Sequence, residues 1–340
     1  MPLDQSPEPE RSAVKSAAPP EAVAPSPAYI RLGYVFALVG ALLFSTKAII
    51  IKLAYDDPVD SVDAITLLAV RMMMALPIYL FIGGLAVRER RRKGIAMPPR
   101  DAMVKALLVG LLGYWFSSYT DFAGLQYISA SFERLILFTY PLFVVLLGAM
   151  FFGQKIQIRA VMAILVSYVG LAVIFAEKMG EGGNDVALGA GLILAAAIAF
   201  ALYQLLAKPL IAKIGPALFT CIAMSGAAGG ALIHFALTHP ISDLMVSQRI
   251  LLLGLTIAIG ATVLPSFFLN AALHRISAQA NATIGTLSPV MTIALAVMVL
   301  GDSLTVFDII GTLLVLAGVG WFTLADQAAA RRARKAGLAK

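Results

Sequence analysis

Residues 128–147 read Ile-Ser-Ala-Ser-Phe-Glu-Arg-Leu-Ile-Leu-Phe-Thr-Tyr-Pro-Leu-Phe-Val-Val-Leu-Leu. The stretch is apolar enough to lie in lipid, yet it carries Glu133 and Arg134 side by side and Pro141 near its middle. An ion at the centre of a bilayer costs about 2.5–3.5 kcal/mol on insertion scales, so such residues face a cavity or a partner. The pattern recurs 148 positions later. Ile276-Ser277-Ala278 repeats Ile128-Ser129-Ala130, Pro289 repeats Pro141, Gly301 repeats Gly153 and Gly318 repeats Gly170.

The surrounding chain is built for the same solvent. Of its 340 residues 60% are hydrophobic and 13% are charged, where a water-soluble domain carries about 25% charged residues. The apolar residues come in blocks of about 20, the length a helix needs to cross the hydrocarbon core. Long alternating strands are absent from the sequence pattern, which disfavours a β-barrel. The expected fold class is therefore an all-α integral membrane protein with ten transmembrane helices. Their approximate limits are 32–54, 62–86, 102–124, 129–151, 157–176, 188–210, 216–237, 250–271, 279–300 and 304–325. Residues 1–28, rich in Pro, Ala, Ser and Glu, read as a disordered tail and not as a signal peptide. The single cysteine, Cys221, allows no internal disulfide and no thiolate metal cluster.

Charge sets the orientation. The run Arg88-Glu-Arg-Arg-Arg-Lys93, Lys155 with Arg159, Lys208 with Lys213, and the tail from Arg331 to Lys335 all fall on one side if ten spans alternate. Positive loops stay cytoplasmic, so both termini are expected there. The opposite loops carry Asp56, Asp57, Asp60, Asp63, Glu177, Glu181 and Asp185. The net charge of +7 is thus orientation bias, and no nucleic-acid partner is expected. The duplication divides the chain into 29–181 and 182–326, followed by a basic cytoplasmic tail at 327–340. Within it the first spans align at an offset of 156, Gly33 with Gly189 and Lys52 with Lys208. Five spans per half make the two repeats inverted in the membrane, the arrangement of many secondary transporters.

Two five-span halves of this size resemble the EamA-like branch of the drug/metabolite transporter superfamily. Lys52 closing span 1, Arg71 before Met-Met-Met in span 2, Pro141 in span 4 and the turn Gly301-Asp302 carry the likeness. The resemblance covers about residues 32–325. It implies a ten-helix fold, movement of small metabolites, a cavity lined by spans 1–4 and 6–9, and peripheral spans 5 and 10. Lys47 and Glu133-Arg134 depart from the family pattern, and Asp302 stands where members often carry Glu.

At 1.5 Å per residue, Lys47 lies about 12 Å and Arg71 about 15 Å below the outer surface. Glu133 and Arg134 enter span 4 from the same side, and Asp121 is near the outer end of span 3. All five fall in the outer half of the first repeat. As a binding chamber, Lys47 and Arg71 would hold an anionic group, Arg by a planar fork and Lys as a point charge. Glu133 would hold an amine or exchange a proton. The competing account has Glu133 pairing with Lys47 or Arg71 to neutralise packed helices, with Arg134 snorkelling to the interface. By the repeat, Tyr203 and Gln204 occupy the place of Lys47-Ala48, and Asn281 that of Glu133. Tyr119, with the run Tyr114-Trp115-Phe116, either stacks on a substrate or packs against lipid. Pro141 and Pro289 are hinges or static kinks. His234, His239 and His274 read as solvated interface residues. Gly226, Gly229, Gly230, Gly311 and Gly318 read as packing positions.

The expected function is a secondary transporter of a small polar metabolite, an amino acid or related zwitterion or anion, exported by alternating access across the cytoplasmic membrane. No metal pair or nucleotide-binding loop occurs in the sequence, so no cofactor and no enzymatic activity are expected. The alternative is a membrane-embedded lipid-handling protein or enzyme using the chamber for a head group. The expected partners are the metabolite and the lipid bilayer, with spans 5 and 10 offering a homodimer face.

Overall fold

The computed structural model describes residues 27–57, 62–153, 158–273, 275–276, 284 and 287–335. Asn281 and His274 lie outside the described residues, as do residues 1–26 and 336–340. Among the described residues the chain is helical throughout and holds no strand. Seven stretches are long and apolar enough to cross a membrane: Ala28–Tyr55, Ala64–Arg92, Arg100–Leu125, Ala130–Phe152, Gly183–Ile214, Pro216–Thr238 and Gln248–Leu269. Leu287–Leu300 and Val306–Gly318 are shorter apolar helices.

The helices begin where a side chain supplies the acceptor that hydrocarbon cannot. Asp63 opens α3 (Ala64–Arg92), its carboxylate accepting from the Thr66 N–H at 3.1 Å. Ser129 opens α6 (Ala130–Leu137) by accepting from the Phe132 N–H at 3.2 Å. Ser247 does the same for α10 (Gln248–Ala258), with Ile250 N–H at 3.3 Å. Each cap satisfies one of the orphan amides of a first turn. At the far end of α8 (Ile158–Ile214) the Arg90 guanidinium donates to the last carbonyl, Ile214 O, at 2.7 Å. This pins the basic loop to the negative end of a helix. The 57-residue range of α8 is two helices meeting at Gly183, which is non-helical with φ 57°.

Two predicted spans are each interrupted by a tight turn whose residues keep right-handed helical dihedrals. Span 1 divides at Thr46 into α1 (Pro27–Ser45) and α2 (Lys47–Tyr55). Span 4 divides at Phe138-Thr139 into α6 and α7 (Tyr140–Phe152). At each break a threonine hydroxyl meets a carbonyl three residues back, Thr46 to Leu43 at 2.7 Å and Thr139 to Ile136 at 2.6 Å. Pro141 therefore starts a helix instead of bending one; at the first turn its missing N–H has no bond to lose. Pro289 lies in α12 (Leu287–Leu295).

Several irregularities recur at the spacing of the sequence repeat. π-helical turns occur at Leu111–Phe116, between α4 (Arg100–Gly110) and α5 (Ser117–Leu125), and at Ile259–Val263, between α10 and α11 (Leu264–Leu273). Their first residues, 111 and 259, differ by 148. Gly153 and Gly301 close their helices in the left-handed region, at φ 64° and 73°, where a side chain is strained.

The largest core joins α2, α3, α5, α9 (Pro216–Thr238) and α10. A second core joins α6, α8 and α13 (Val306–Lys335). Large apolar side chains such as Phe81, Leu237 and Leu313 point outward, as a lipid-facing surface requires. Small residues set the closest crossings. A Cβ on Gly170 would lie 2.6 Å from Gly311 O, so these two glycines of spans 5 and 10 are engaged with each other within the chain. Gly226 meets Leu107, whereas Gly229 has nothing within 4 Å.

Gly110 meets the Ala223 backbone with no room for a methyl group. Gly110→Leu is expected to destabilise the protein by about 3 kcal/mol or more, at the upper end of overpacking costs. Gly84→Leu, at a position with open space around it, is expected to be near neutral. Thermal unfolding in detergent compares the two; equal midpoints would contradict this packing.

Candidate functional site

Five ionic side chains gather where the broken helices α2 and α6 approach α5. All are buried: Lys47, Arg71, Asp121, Glu133 and Arg134. The Lys47 ammonium and Asp121 Oδ2 are 2.5 Å apart. Arg134 Nε lies 3.7 Å from Glu133 Oε2, and Arg134 Nη2 donates to Phe44 O at 3.3 Å. The Glu133 carboxyl also faces that of Asp121. The Phe44 ring serves two cations, Lys47 at 5.2 Å and Arg134 at 5.4 Å from its centroid. Arg71 Nη2 donates to Ser118 Oγ at 3.2 Å and the guanidinium lies 5.0 Å over the Phe122 ring.

The pairing differs from the neutralisation scheme considered for the sequence. Lys47 pairs with Asp121, not with Glu133, and Arg71 has no carboxylate within ion-pair distance among the described residues. Neither Arg134 nor Asp121 reaches an interface; they are 2% and 1% exposed. The cause is the packing of other helices around α6, where every residue from Ala130 to Leu137 is buried.

The cluster is incompletely satisfied. Both Glu133 carboxylate oxygens, Asp121 Oδ1, Arg71 Nε and Arg134 Nε are buried without a hydrogen bond. Three cations face two carboxylates, so the fully ionised group carries one positive charge in excess. Such an arrangement is costly in a low-dielectric interior unless a further group completes it. Below the break, Ser45 binds the second half of the chain: its hydroxyl lies 2.9 Å from Ser288 Oγ, and its carbonyl accepts from Thr292 Oγ1 at 2.9 Å.

The other candidates fall into a separate aromatic group. Tyr203 donates to Tyr114 Oη at 3.1 Å and stacks on Phe200 with centroids 5.7 Å apart. Tyr140 meets Phe200 at 5.2 Å, and Gln204 lies beside the Tyr140 hydroxyl. The Tyr203 ring fills a notch at Gly113, in the first π turn. Tyr119 packs on His234 at 4.6 Å, with Trp115 on the same imidazole at 5.8 Å. His234 is thus wedged between rings and half-buried, not solvated, because the small residues of α9 let span 3 come close. His239 stacks on Phe235 and lies 3.5 Å from Asp63.

Sequence reasoning missed the partners of this chamber. Ser45, Thr46, Phe44, Ser118 and Thr292 look like ordinary membrane-helix residues until the breaks bring them to the ions. No local signal marked them, since a threonine in an apolar run serves equally well in a continuous helix.

Known proteins place the chain. The EamA-like transporter family matches residues 31–176 and again 187–324. The uncharacterized transporter YcbK of Bacillus subtilis is 28% identical over 283 residues, 82% of this chain and 88% of that protein. An uncharacterized transporter of Clostridium kluyveri is 28% identical over 296 residues, covering 85% and 92% of the two chains. A crystal structure at 15% identity superposes with a TM-score of 0.58 over 87% of this chain and 98% of that one, and shares the fold. With apolar helices of membrane-spanning length, an ionic cluster buried among them and two matched segments that together cover most of its length, the chain belongs to the EamA-like transporter family.

Proposed function

We propose that the protein is a secondary carrier of a small zwitterionic or anionic metabolite, such as an amino acid, exported across the cytoplasmic membrane by alternating access. The observation that carries this is the unmatched positive charge of the buried cluster, set where two helices break. A cargo carboxylate entering between Lys47, Arg71 and Arg134 would cancel that charge and meet the orphan guanidinium N–H groups. Discontinuous helices at mid-membrane are the usual substrate and ion sites of such carriers. Glu133 is the proposed proton carrier, since its buried carboxyl faces that of Asp121 and the two can share a proton.

In this scheme ten spans form two inverted repeats, 29–181 and 182–326, with both termini cytoplasmic. The π turns at 111 and 259 and the left-handed glycines at 153 and 301 support the duplication by their common spacing of 148. The aromatic group around Tyr203 joins residues of both repeats, as a closure between rocking halves would. A pairing of two copies through spans 5 and 10 would have to use their outward faces, because Gly170 and Gly311 are already in contact.

The test is efflux from proteoliposomes loaded with labelled amino acids and carboxylates, with and without an imposed pH gradient. Saturable efflux of one class is expected, reduced at least tenfold by Lys47→Ala. Efflux of none of them from folded protein would remove the carrier reading, and head-group binding to added lipid would then favour the lipid-handling alternative.

A further inference from the structure

A second polar site lies away from the buried cluster. A cavity of about 340 Å³ opens between the α5–α6 connection, the first turn of α6, residues 178–186 of α8 and the turn that precedes α13. Its walls include Tyr127, Ser131, Phe132, Asp302, Ser303 and the Lys178–Asp308 pair. The volume is at the small end of ligand pockets, which run from about 300 to 1,000 Å³.

The charges of this cavity divide into a satisfied set and an unsatisfied one. Lys178 lies 3.2 Å from Asp308 and 4.0 Å from Glu177. Thr305 Oγ1 donates to Glu177 at 2.9 Å and to Asp308 at 3.1 Å. That network ties α8 to α13 and leaves little to offer a ligand. Asp302 is different. Among the described residues it makes no ion pair, and its one side-chain contact is the Ser131 hydroxyl at 3.4 Å, a long bond. Burial raises its carboxyl above the usual carboxylate range, against the opposing influence of Ser131 and of Lys52. A half-buried carboxylate with hydroxyls around it and an aromatic wall is the reverse of the inner cluster. Asp302 has no ion-pair partner among the described residues, where the inner cluster has a cation in excess. The two sites are joined by α6, on which Ser131 lines the cavity and Glu133, two residues on, belongs to the cluster.

We propose that this cavity is an ammonium-binding subsite, in which Asp302 accepts N–H bonds from the primary amine of a small cargo and the Ser131 and Ser303 hydroxyls complete its shell. The proposal rests on the carrier reading and deepens it: the amine end of a zwitterion is held at the mouth, and its acid end is met by the inner cations.

The test uses Leu304→Cys, at an exposed position of the cavity wall with no part in the proposed shell, in a Cys221→Ala background, labelled in sealed cells with a membrane-impermeant maleimide. The probes are n-butylammonium and butyrate at equal ionic strength. Butylammonium is expected to slow labelling at least fivefold, and butyrate less than twofold. Asp302→Asn should abolish the protection and Asp302→Glu should retain part of it, which separates loss of the carboxylate from loss of the fold. Lys47→Ala should keep the protection while losing transport. Labelling that butylammonium does not slow, equal protection by butyrate, protection that survives Asp302→Asn, or an introduced thiol reached only after permeabilisation would each overturn the subsite. Protection without transport of any cargo would instead remove the carrier reading and leave the subsite standing.

Discussion

Lys47→Met is expected to destabilise the protein by about 3–5 kcal/mol, the cost of stripping one partner from a buried ion pair. Lys47 is 6% exposed and its ammonium lies 2.5 Å from Asp121 Oδ2. Without it, Asp121 would keep Glu133 as a carboxylate neighbour and would lose its only ion-pair partner among the described residues. The double change Lys47→Met with Asp121→Leu removes both charges. It should return stability to within about 1 kcal/mol of the parent, because well-packed apolar side chains can replace a buried pair at little cost. Transport should stay absent in both variants, since the double change restores neutrality but not the ammonium that meets the cargo. The cycle is measured by chemical or thermal unfolding in detergent beside proteoliposome efflux. A single variant as stable as the parent would show that the pair does not form in the folded protein. Recovery of transport in the double variant would assign Lys47 and Asp121 to helix packing alone.

Glu133→Gln is expected to abolish the response of transport to a pH gradient. Both carboxylate oxygens of Glu133 are buried without a hydrogen bond, and its nearest cation, Arg134 Nε, stands 3.7 Å away. If protons entering from an acidic exterior drive export, the parent should accelerate when the outside is acidified. The glutamine protein should run at one rate with or without the gradient, at least tenfold below the driven parent, a difference of about 1.4 kcal/mol. A glutamine variant that still responds to the gradient would move the proton site elsewhere, with Asp121 the next group to replace.

The membrane class was legible in the sequence because hydrocarbon is an unforgiving solvent. Blocks of about 20 apolar residues have few other uses. The five cluster residues were legible for the same reason, since an ion inside such a block needs a partner. The repeat was visible through Pro and Gly, residues whose backbone roles leave a mark. The left-handed caps at Gly153 and Gly301 show the kind of constraint that keeps them recognisable.

Which ion meets which was decided by tertiary structure alone. Depth along straight helices put Lys47, Arg71 and Glu133 within reach of one another, and either cation could serve. The break at Thr46 places Lys47 at the start of α2 and towards Asp121 on α5. The helices packed around α6 bury all of it and leave Arg134 on Glu133 and Phe44. Local sequence does not reveal such breaks, because a threonine in an apolar run serves equally well in a continuous helix. Only the neighbouring helices determine whether its hydroxyl is needed for a freed carbonyl. The apolar blocks, the repeat and the identity of the buried ions were thus set by composition and spacing. The pairing, the excess charge and the cavity around Asp302 came from helices packed against one another.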